Sequence, residues 1–252
     1  MTFNASKCKI LHFGRNNPGY KYTMRGIELA EATEERDLGV WISTSMKPSK
    51  QCETAAKQAN FTLGQMQRAF HFRKKEHFIP LYKTFIRPKL EYNVAAWCPW
   101  TEADAKTLER VQERAVRMVS NRRGTTYEER LKNVGLTTLR ERRERGDAIE
   151  TFKALKGFSR IDRQEWFHVS GPDARATRRT TSVTEEGETR RADSLYGKRS
   201  NLEVRKHFFT TRVVDLWNGL PDDVREQKTI NGFKTAYDRW KQNQESENNL
   251  HT

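Results

Sequence analysis

The acidic, histidine and cysteine residues of this sequence are the first candidates for chemistry, because two-metal phosphoryl transfer needs carboxylates that hold both ions close together. The one pair of adjacent aspartates, Asp222 and Asp223, follows Pro221 and is more typical of a helix N-cap than of a metal site. Cys8 and His12 lack the paired ligand spacing of a zinc site, so packing in a strand is the expected use of both. The sequence therefore predicts no metal site and no complete catalytic set of its own.

Basic residues form the second candidate group, and their spacing suits phosphate binding. The predicted nucleic-acid-binding residues recur at three- and four-residue steps, which places them on one helical face, and two arginines extend the row: Lys106, Arg110, Arg114, Arg117, Arg122 and Arg123. The alternative is a solvated face on which these cations pair with Glu102, Glu109 or Glu113.

A second basic stretch lies between Arg175 and Arg199. It holds seven Lys or Arg residues against four Asp or Glu residues and almost no apolar side chains. Such a segment cannot build a core, but it suits wrapping along a phosphate backbone. We therefore interpret residues 159–201 as a basic linker that is disordered when free.

Apolar periodicity predicts the elements that must position these residues. Near the N-terminus it indicates strands: the run from Cys8 to Phe13, a hairpin of residues 20–24 and 27–29 that turns at Arg25 and Gly26, and an extended run from Asp37 to Ile42. A helical stripe then predicts one helix from about Ser49 to Phe72. Its members are Cys52, Ala55, Ala59, Leu63, Met66 and Phe70.

Further stripes predict more helices. One contains Phe78, Leu81, Tyr82, Phe85 and Ile86 and ends or kinks at Pro88; another contains Leu108, Val111, Ala115 and Met118. Two capping boxes, Thr126 with Glu129 and Thr138 with Glu141, predict two helices separated at Gly135. The expected fold class is mainly α: a small N-terminal antiparallel β-hairpin region, a helical bundle and a small C-terminal helical unit.

Composition restricts the class of partner. The 252 residues carry 47 Lys or Arg against 33 Asp or Glu, a formal net charge of +14, which attracts polyanions. No run approaches the roughly 18 apolar residues of a membrane helix, and the three cysteines fit a reduced compartment. We expect an intracellular protein, nuclear or cytoplasmic, that does not bind membranes.

The order and spacing of several segments resemble the reverse transcriptases of non-LTR retrotransposons, the jockey-like LINE class, along nearly the whole chain. The segments that carry this resemblance are FNASKCKILHFG at residues 3–14, EERDLGVWI at 34–42, PLYKTFIRPKLEY at 80–92, AWCPW at 96–100, LERVQERA at 108–115, GLTTL at 135–139 and FFTTRVVDLWNGLP at 208–221.

The resemblance implies a role for particular residues. Residues 3–7 would follow the catalytic Tyr-x-Asp-Asp strand of the palm, and Lys7 would occupy the position of a palm lysine that protonates the pyrophosphate leaving group. The alternative for Lys7 is a solvent-facing lysine on a strand. Leu38, Gly39 and Val40 would form the primer grip.

The resemblance also implies a domain organisation in four parts. Residues 1–46 would be the end of the palm with the primer-grip hairpin, 47–158 the helical thumb, 159–201 the basic linker and 202–245 a C-terminal helical unit. The N-terminal polymerase portion and the endonuclease would be missing, so the Mg²⁺ ions of the full-length enzyme would have no ligands here. We therefore expect the isolated chain to be inactive as a polymerase.

Three hypotheses of function follow. The first is the template- and primer-binding portion of an RNA-directed DNA polymerase, which holds RNA, DNA or an RNA/DNA hybrid by its phosphates. The second is a domesticated, non-catalytic RNA-binding protein derived from such an element. The third is a non-functional element fragment.

Overall fold

Helices account for most of the structure, a computed structural model that describes residues 4–70, 74–120, 124–169, 193–197 and 199–250. In chain order the α-helices are Ser49–Ala69 (α1), Lys75–Leu81 (α2), Arg87–Glu91 (α3), Val94–Trp97 (α4), Glu102–Val119 (α5), Tyr127–Val134 (α6), Leu139–Leu155 (α7), Arg163–Trp166 (α8), Glu203–Lys206 (α9), Phe209–Asn218 (α10), Asp222–Arg225 (α11) and Ile230–Leu250 (α12). The strands are Lys9–Ile10 (β1), Thr23–Met24 (β2), Ile27–Glu28 (β3), Ala30–Glu31 (β4), Glu34–Asp37 (β5), Val40–Ser43 (β6), His168–Val169 (β7) and Leu195–Tyr196 (β8). The predicted fold class, mainly α with a small N-terminal β region, is confirmed.

The chain divides into two compact units, Met1–Glu141 and Arg142–Thr252. Their boundary lies inside α7, whose first turn belongs to the first unit. The division into palm end, thumb, linker and C-terminal unit stays a prediction.

Two short antiparallel hairpins hold four of the six N-terminal strands that the structure describes, and the other two, β1 and β4, pair in parallel. The predicted hairpin is present as β2 and β3, with Met24 opposite Ile27 and the turn at Arg25 and Gly26. The predicted extended run from Asp37 to Ile42 is wrong, because β5 and β6 pair with Asp37 opposite Val40 and turn at Leu38 and Gly39. Both turn residues have positive φ, +45° and +86°, as a two-residue type I′ turn requires.

Helices α1 and α5 lie side by side and run parallel. The Ser49 hydroxyl donates to the Asp104 carboxylate at 2.9 Å, and further along the Arg114 guanidinium donates to the Asn60 amide oxygen at 2.9 Å. The two residues of the first bonded pair are 55 positions apart in sequence, and those of the second pair are 54 apart. A nearly constant separation along both helices means that they run parallel. Small buried side chains on α1 allow the close approach. They are Cys52, Ala55, Ala56 and Ala59.

The predicted helix from Ser49 to Phe72 is present as α1, but its apolar stripe ends sooner. Phe70 is the C-cap residue, lies outside the last helical turn and is 45% exposed. The helix therefore buries its stripe only as far as Met66.

The helix around Pro88 is continuous from α2 to α3, with a π-helical segment, Tyr82–Ile86, between them. Pro88 has no N–H to donate, and the turn before it is widened, so that the Arg87 N–H donates to the Tyr82 carbonyl. Pro88 thus disturbs the helix rather than ending it. The wider turn buries Tyr82 and Ile86 completely and leaves Phe85 53% exposed, so the predicted place of Phe85 in the buried stripe is wrong.

A buried polar network joins α5 to its neighbours in the first unit. The Gln112 side chain is fully buried, accepts from the Tyr82 hydroxyl at 2.7 Å and donates to the Tyr127 hydroxyl at 3.0 Å and to the Thr137 carbonyl at 2.9 Å. Burial raises the pKa of Tyr127, as does its hydrogen bond to the Glu109 carboxylate. The network fixes the spacing of the π-helical segment, α5 and α6.

Both predicted capping boxes are present. The Thr126 hydroxyl accepts from the Glu129 N–H at the start of α6, and the carboxylate of Glu129 accepts from the Thr126 N–H. Thr138 and Glu141 make the same exchange at the start of α7, at 2.9 and 3.1 Å. Gly135, at φ +66°, ends α6 in the left-handed conformation that glycine favours.

The second unit is built on aromatic side chains and buried charge. Phe152 of α7 stacks on Phe233 of α12, and Trp217 of α10 stacks on the same ring. Beside them the Asp147 carboxylate and the Arg212 guanidinium form two hydrogen bonds of 2.8 and 2.9 Å. This unit therefore depends on a buried ion pair as well as on apolar packing.

Candidate nucleic-acid interface

The cations predicted on α5 all lie on its exposed side. Lys106, Arg110, Arg114 and Arg117 are exposed, whereas Leu108, Val111, Ala115 and Val116 face the core. The helix therefore has the two-sided character that the sequence predicts: an apolar side toward the bundle and a row of cations toward solvent.

Most of these charges are available to a ligand. Lys106 and Arg110 form no hydrogen bond or ion pair with any residue that the structure describes, and Arg114 bonds only to the neutral amide of Asn60. Arg117 pairs with Glu113 at 2.5 Å. Local neutralisation, the alternative for this helix, therefore applies to one cation of the four.

The acidic residues that could have paired with this row are bound elsewhere. Glu102 forms an ion pair with Arg140 at 2.8 Å. The Glu109 carboxylate accepts from the Tyr127 hydroxyl and from the Leu139 N–H, at 2.5 and 3.1 Å. Two of the three candidate partners are thus held away from the α5 cations.

Helix α1 extends the same surface with two cations that were not among the predicted binding residues. Asn60 touches Arg114, and Lys57 and Arg68 lie three residues before and eight residues after Asn60, on the same side of α1. Both are exposed and make no ion pair within the described part of the chain. The spacing of positions 57, 60, 64 and 68 places them on one side of α1 and could have been noticed in the sequence. Only the contact between α1 and α5 shows that this side adjoins the α5 cations.

We call this surface the basic face. It consists of Lys57, Arg68, Lys106, Arg110, Arg114 and Arg117. Arg122, Arg123 and most of the basic stretch from Arg175 to Arg199 lie outside the described residues, so their place in nucleic-acid binding stays a prediction.

The predicted primer-grip residues lie at the turn between β5 and β6. Leu38 is 83% exposed at its tip, Gly39 follows it and Val40 is buried. The Tyr92 hydroxyl donates to the Leu38 carbonyl at 3.1 Å, and a Cβ on Gly39 would come within 3.2 Å of the Tyr92 ring. Glycine is thus required at position 39, both by its φ and by this close approach.

Leu38 is an unusual residue for its conformation. Left-handed backbone costs an ordinary L-residue about 1 kcal/mol or more, and an exposed leucine gains no packing in return. A hairpin selected for stability alone would carry asparagine or glycine here. The strain and the exposure together make Leu38 a candidate for contact with a ligand.

We expect Leu38→Asn to stabilise the first unit and to weaken nucleic-acid binding. Asparagine tolerates positive φ, so the free energy of unfolding should rise by about 0.5–1 kcal/mol, measured by urea denaturation. Affinity for a primed template should fall, because the apolar tip is lost. A variant that is more stable and binds as tightly as the parent would contradict a contact at Leu38.

Lys7 lies in a short 3-10 turn, Ala5–Lys7, and not in a strand. Asn4 caps this turn by accepting from the Ser6 N–H at 3.1 Å, and the Lys7 side chain is exposed. An exposed position leaves the ammonium accessible, but its catalytic role stays a prediction.

The candidate metal ligands are not brought together. The expected N-cap position of the aspartate pair is wrong, because the N-cap is Pro221 and the two aspartates are the first two residues of α11. Asp222 pairs with Arg225. The Cys8 thiol donates to the Asn4 carbonyl at 3.4 Å. Within the described ranges the structure contains no cluster of three or more His, Cys, Asp or Glu side chains suited to a metal ion.

Comparison of the chain with protein families, curated proteins and solved structures finds no match. Among the residues described, no helix has the length and apolar character needed to span a membrane.

Proposed function

We propose that this chain is the nucleic-acid-binding portion of a retrotransposon RNA-directed DNA polymerase, and that its basic face binds the phosphate backbone of template and primer. The observation that carries the proposal is the row of exposed α5 cations, of which only Arg117 has an acidic partner within the described residues. A net charge of +14 supports it.

The basic face suits backbone binding rather than the recognition of bases. Its cations project from two parallel helices that are fixed to each other by a shared core, so the charges keep their spacing when a polyanion approaches. Long, flexible Lys and Arg side chains contact phosphates and release the counterions condensed on them. This mode of binding holds a duplex in place without reading its sequence.

The proposal concerns binding. Polymerisation in the proposed family needs Mg²⁺ held by carboxylates, and among the described residues no set of three or more His, Cys, Asp or Glu side chains is placed to hold a metal ion. The role proposed for the basic face, for Leu38 and for Gly39 is to bind and orient template and primer.

The proposal predicts binding that is nearly independent of sequence. A labelled RNA/DNA hybrid, followed by fluorescence anisotropy, should be displaced equally well by unlabelled hybrids of unrelated sequence, because all present the same phosphates. Competitors that differ more than about tenfold in potency would refute backbone binding, since each base-specific contact contributes about 1–3 kcal/mol. Failure to bind any hybrid at low salt would refute the function itself.

A further inference from the structure

A cleft of about 610 Å³ opens beside the Leu38–Gly39 turn, within the first unit. The β5–β6 hairpin forms one wall with Arg36 and Gly39, α1 contributes Gln58, and the helix from α2 to α3 contributes Phe85 and Lys89. The cleft is distinct from the basic face, which Lys57, Arg68 and the α5 cations form. No residue of the basic face lines it.

Two aromatic rings are exposed at this cleft. Phe85 is 53% exposed and Tyr92 is 56% exposed, although rings of this size are usually buried. The π-helical segment explains the exposure of Phe85, because its wider turn directs Tyr82 and Ile86 into the core and leaves Phe85 outside. Such segments are rare and often occur at functional sites. Tyr92 is held in place by its hydroxyl bond to the Leu38 carbonyl.

The polar groups around these rings favour an anionic ligand. Arg36 uses its Nε to donate to the Gly39 carbonyl at 3.3 Å, which leaves the end of the guanidinium accessible. Lys89 has no ion pair with a described residue. Of the described residues that line the cleft, two are cationic and none is acidic, so its lining carries a net positive charge. The amide of Gln58 adds a group that can both donate and accept.

We propose that this cleft binds a short unpaired stretch of RNA or DNA, with a base stacked on Phe85 and a phosphate next to Lys89 and Arg36. A base inside a duplex has both faces covered by its neighbours, so away from a duplex end an exposed ring stacks on an unpaired base. This inference rests on the proposed function for the class of ligand, and it adds a second site with a preference for single strands.

The test compares two labelled probes, a blunt RNA/DNA hybrid and a single strand of about six nucleotides, a length within the usual range of such sites. Phe85→Ala should weaken single-strand binding about tenfold, the usual effect of losing one stacked base, and should leave binding of the blunt hybrid within about twofold. Phe85→Tyr, which keeps a stacking ring, should bind like the parent. Tyr20→Ala is the matched control, because Tyr20 is 67% exposed but does not line the cleft.

A second variant keeps the test valid if Phe85→Ala fails to fold. Lys89→Gln changes only an exposed side chain and should lower single-strand affinity, with a salt dependence shallower by about 0.7, the slope for one phosphate on a single strand. If a folded Phe85→Ala variant, or Lys89→Gln in its place, binds the single strand like the parent, the cleft proposal fails while the proposed function stands. The same holds if the parent binds the hybrid but no single strand. A parent that binds neither probe overturns both.

Discussion

Asp147→Asn should lower the free energy of unfolding of the Arg142–Thr252 unit by about 3 kcal/mol. The Asp147 side chain is 9% exposed and the Arg212 side chain 15% exposed, and two hydrogen bonds of 2.8 and 2.9 Å join them. In the variant the guanidinium keeps its bond to the His207 carbonyl, at 3.1 Å, and its contact with the Phe209 ring, but it faces a neutral amide in place of the carboxylate. None of these groups carries a negative charge, so the cost approaches that of a buried charge that has lost its counterion.

Hydrogen–deuterium exchange read out by mass spectrometry is the suitable measurement, because it reports α10 and α12 separately from the first unit. Exchange in peptides from both helices should accelerate in the variant, whereas α1 and α5 should keep the protection of the parent. Equal acceleration in both units would show that the effect is not confined to this ion pair.

A double variant separates lost pairing from lost packing. Asp147→Leu together with Arg212→Met removes both charges and keeps the volume, so it should recover most of the stability lost in Asp147→Asn. Glu203→Gln, which breaks the exposed pair with Lys206, should leave exchange unchanged. A double variant as unstable as the single one would contradict the assignment of the loss to the missing negative charge beside Arg212.

The second large effect concerns the basic face. Replacing Lys106, Arg110, Arg114 and Arg117 with Gln should reduce the slope of log affinity against log salt by about three units on a nucleic-acid duplex, since each phosphate contact contributes roughly 0.9. Glutamine keeps helix propensity, and all four side chains are exposed, so α5 should stay folded. Circular dichroism checks that condition.

A control variant that loses four positive charges elsewhere separates the effect of the basic face from the effect of net charge. Lys47, Lys74, Lys75 and Lys132 are exposed, lie outside the basic face and make no ion pair with the described residues. Replacing these four with Gln lowers the net charge by the same amount, but the slope should change by less than about one unit. Equal losses in the two variants would mean that binding follows total charge and that the basic face has no special role.

The helices were predictable because their signal is local. Periodic apolar residues place α1 and α5 correctly, and the two capping boxes mark the starts of α6 and α7, since each feature depends on residues three or four apart. The same holds for the α5 cations, whose common face follows from helical spacing alone.

Features that depend on tertiary contacts or on rare backbone geometry were not predictable. Phe85 matches the apolar stripe in sequence, and only the π-helical turn before Pro88 moves it to the surface. Leu38 reads as part of a strand because leucine seldom adopts positive φ. Lys57 joins the basic face only because α1 packs parallel to α5, and no local pattern specifies that packing.

The basic face and the cleft make different demands on a ligand, and this difference has a consequence for the proposed function. A duplex held by the basic face is bound by its phosphates, while the cleft selects an unpaired base at its aromatic rings. A primed template, with duplex and single strand side by side, offers both features in one molecule. We therefore expect such a substrate to bind more tightly than either part alone.

The salt dependence of binding to an RNA/DNA hybrid tests the central claim most directly. We predict that the affinity of the parent protein falls steeply and linearly on a log–log plot, with a slope of about three units or more, and that the quadruple Gln variant loses most of it. A parent affinity that hardly changes with salt, or a folded quadruple variant whose slope stays within about one unit of the parent, would contradict backbone binding by the basic face.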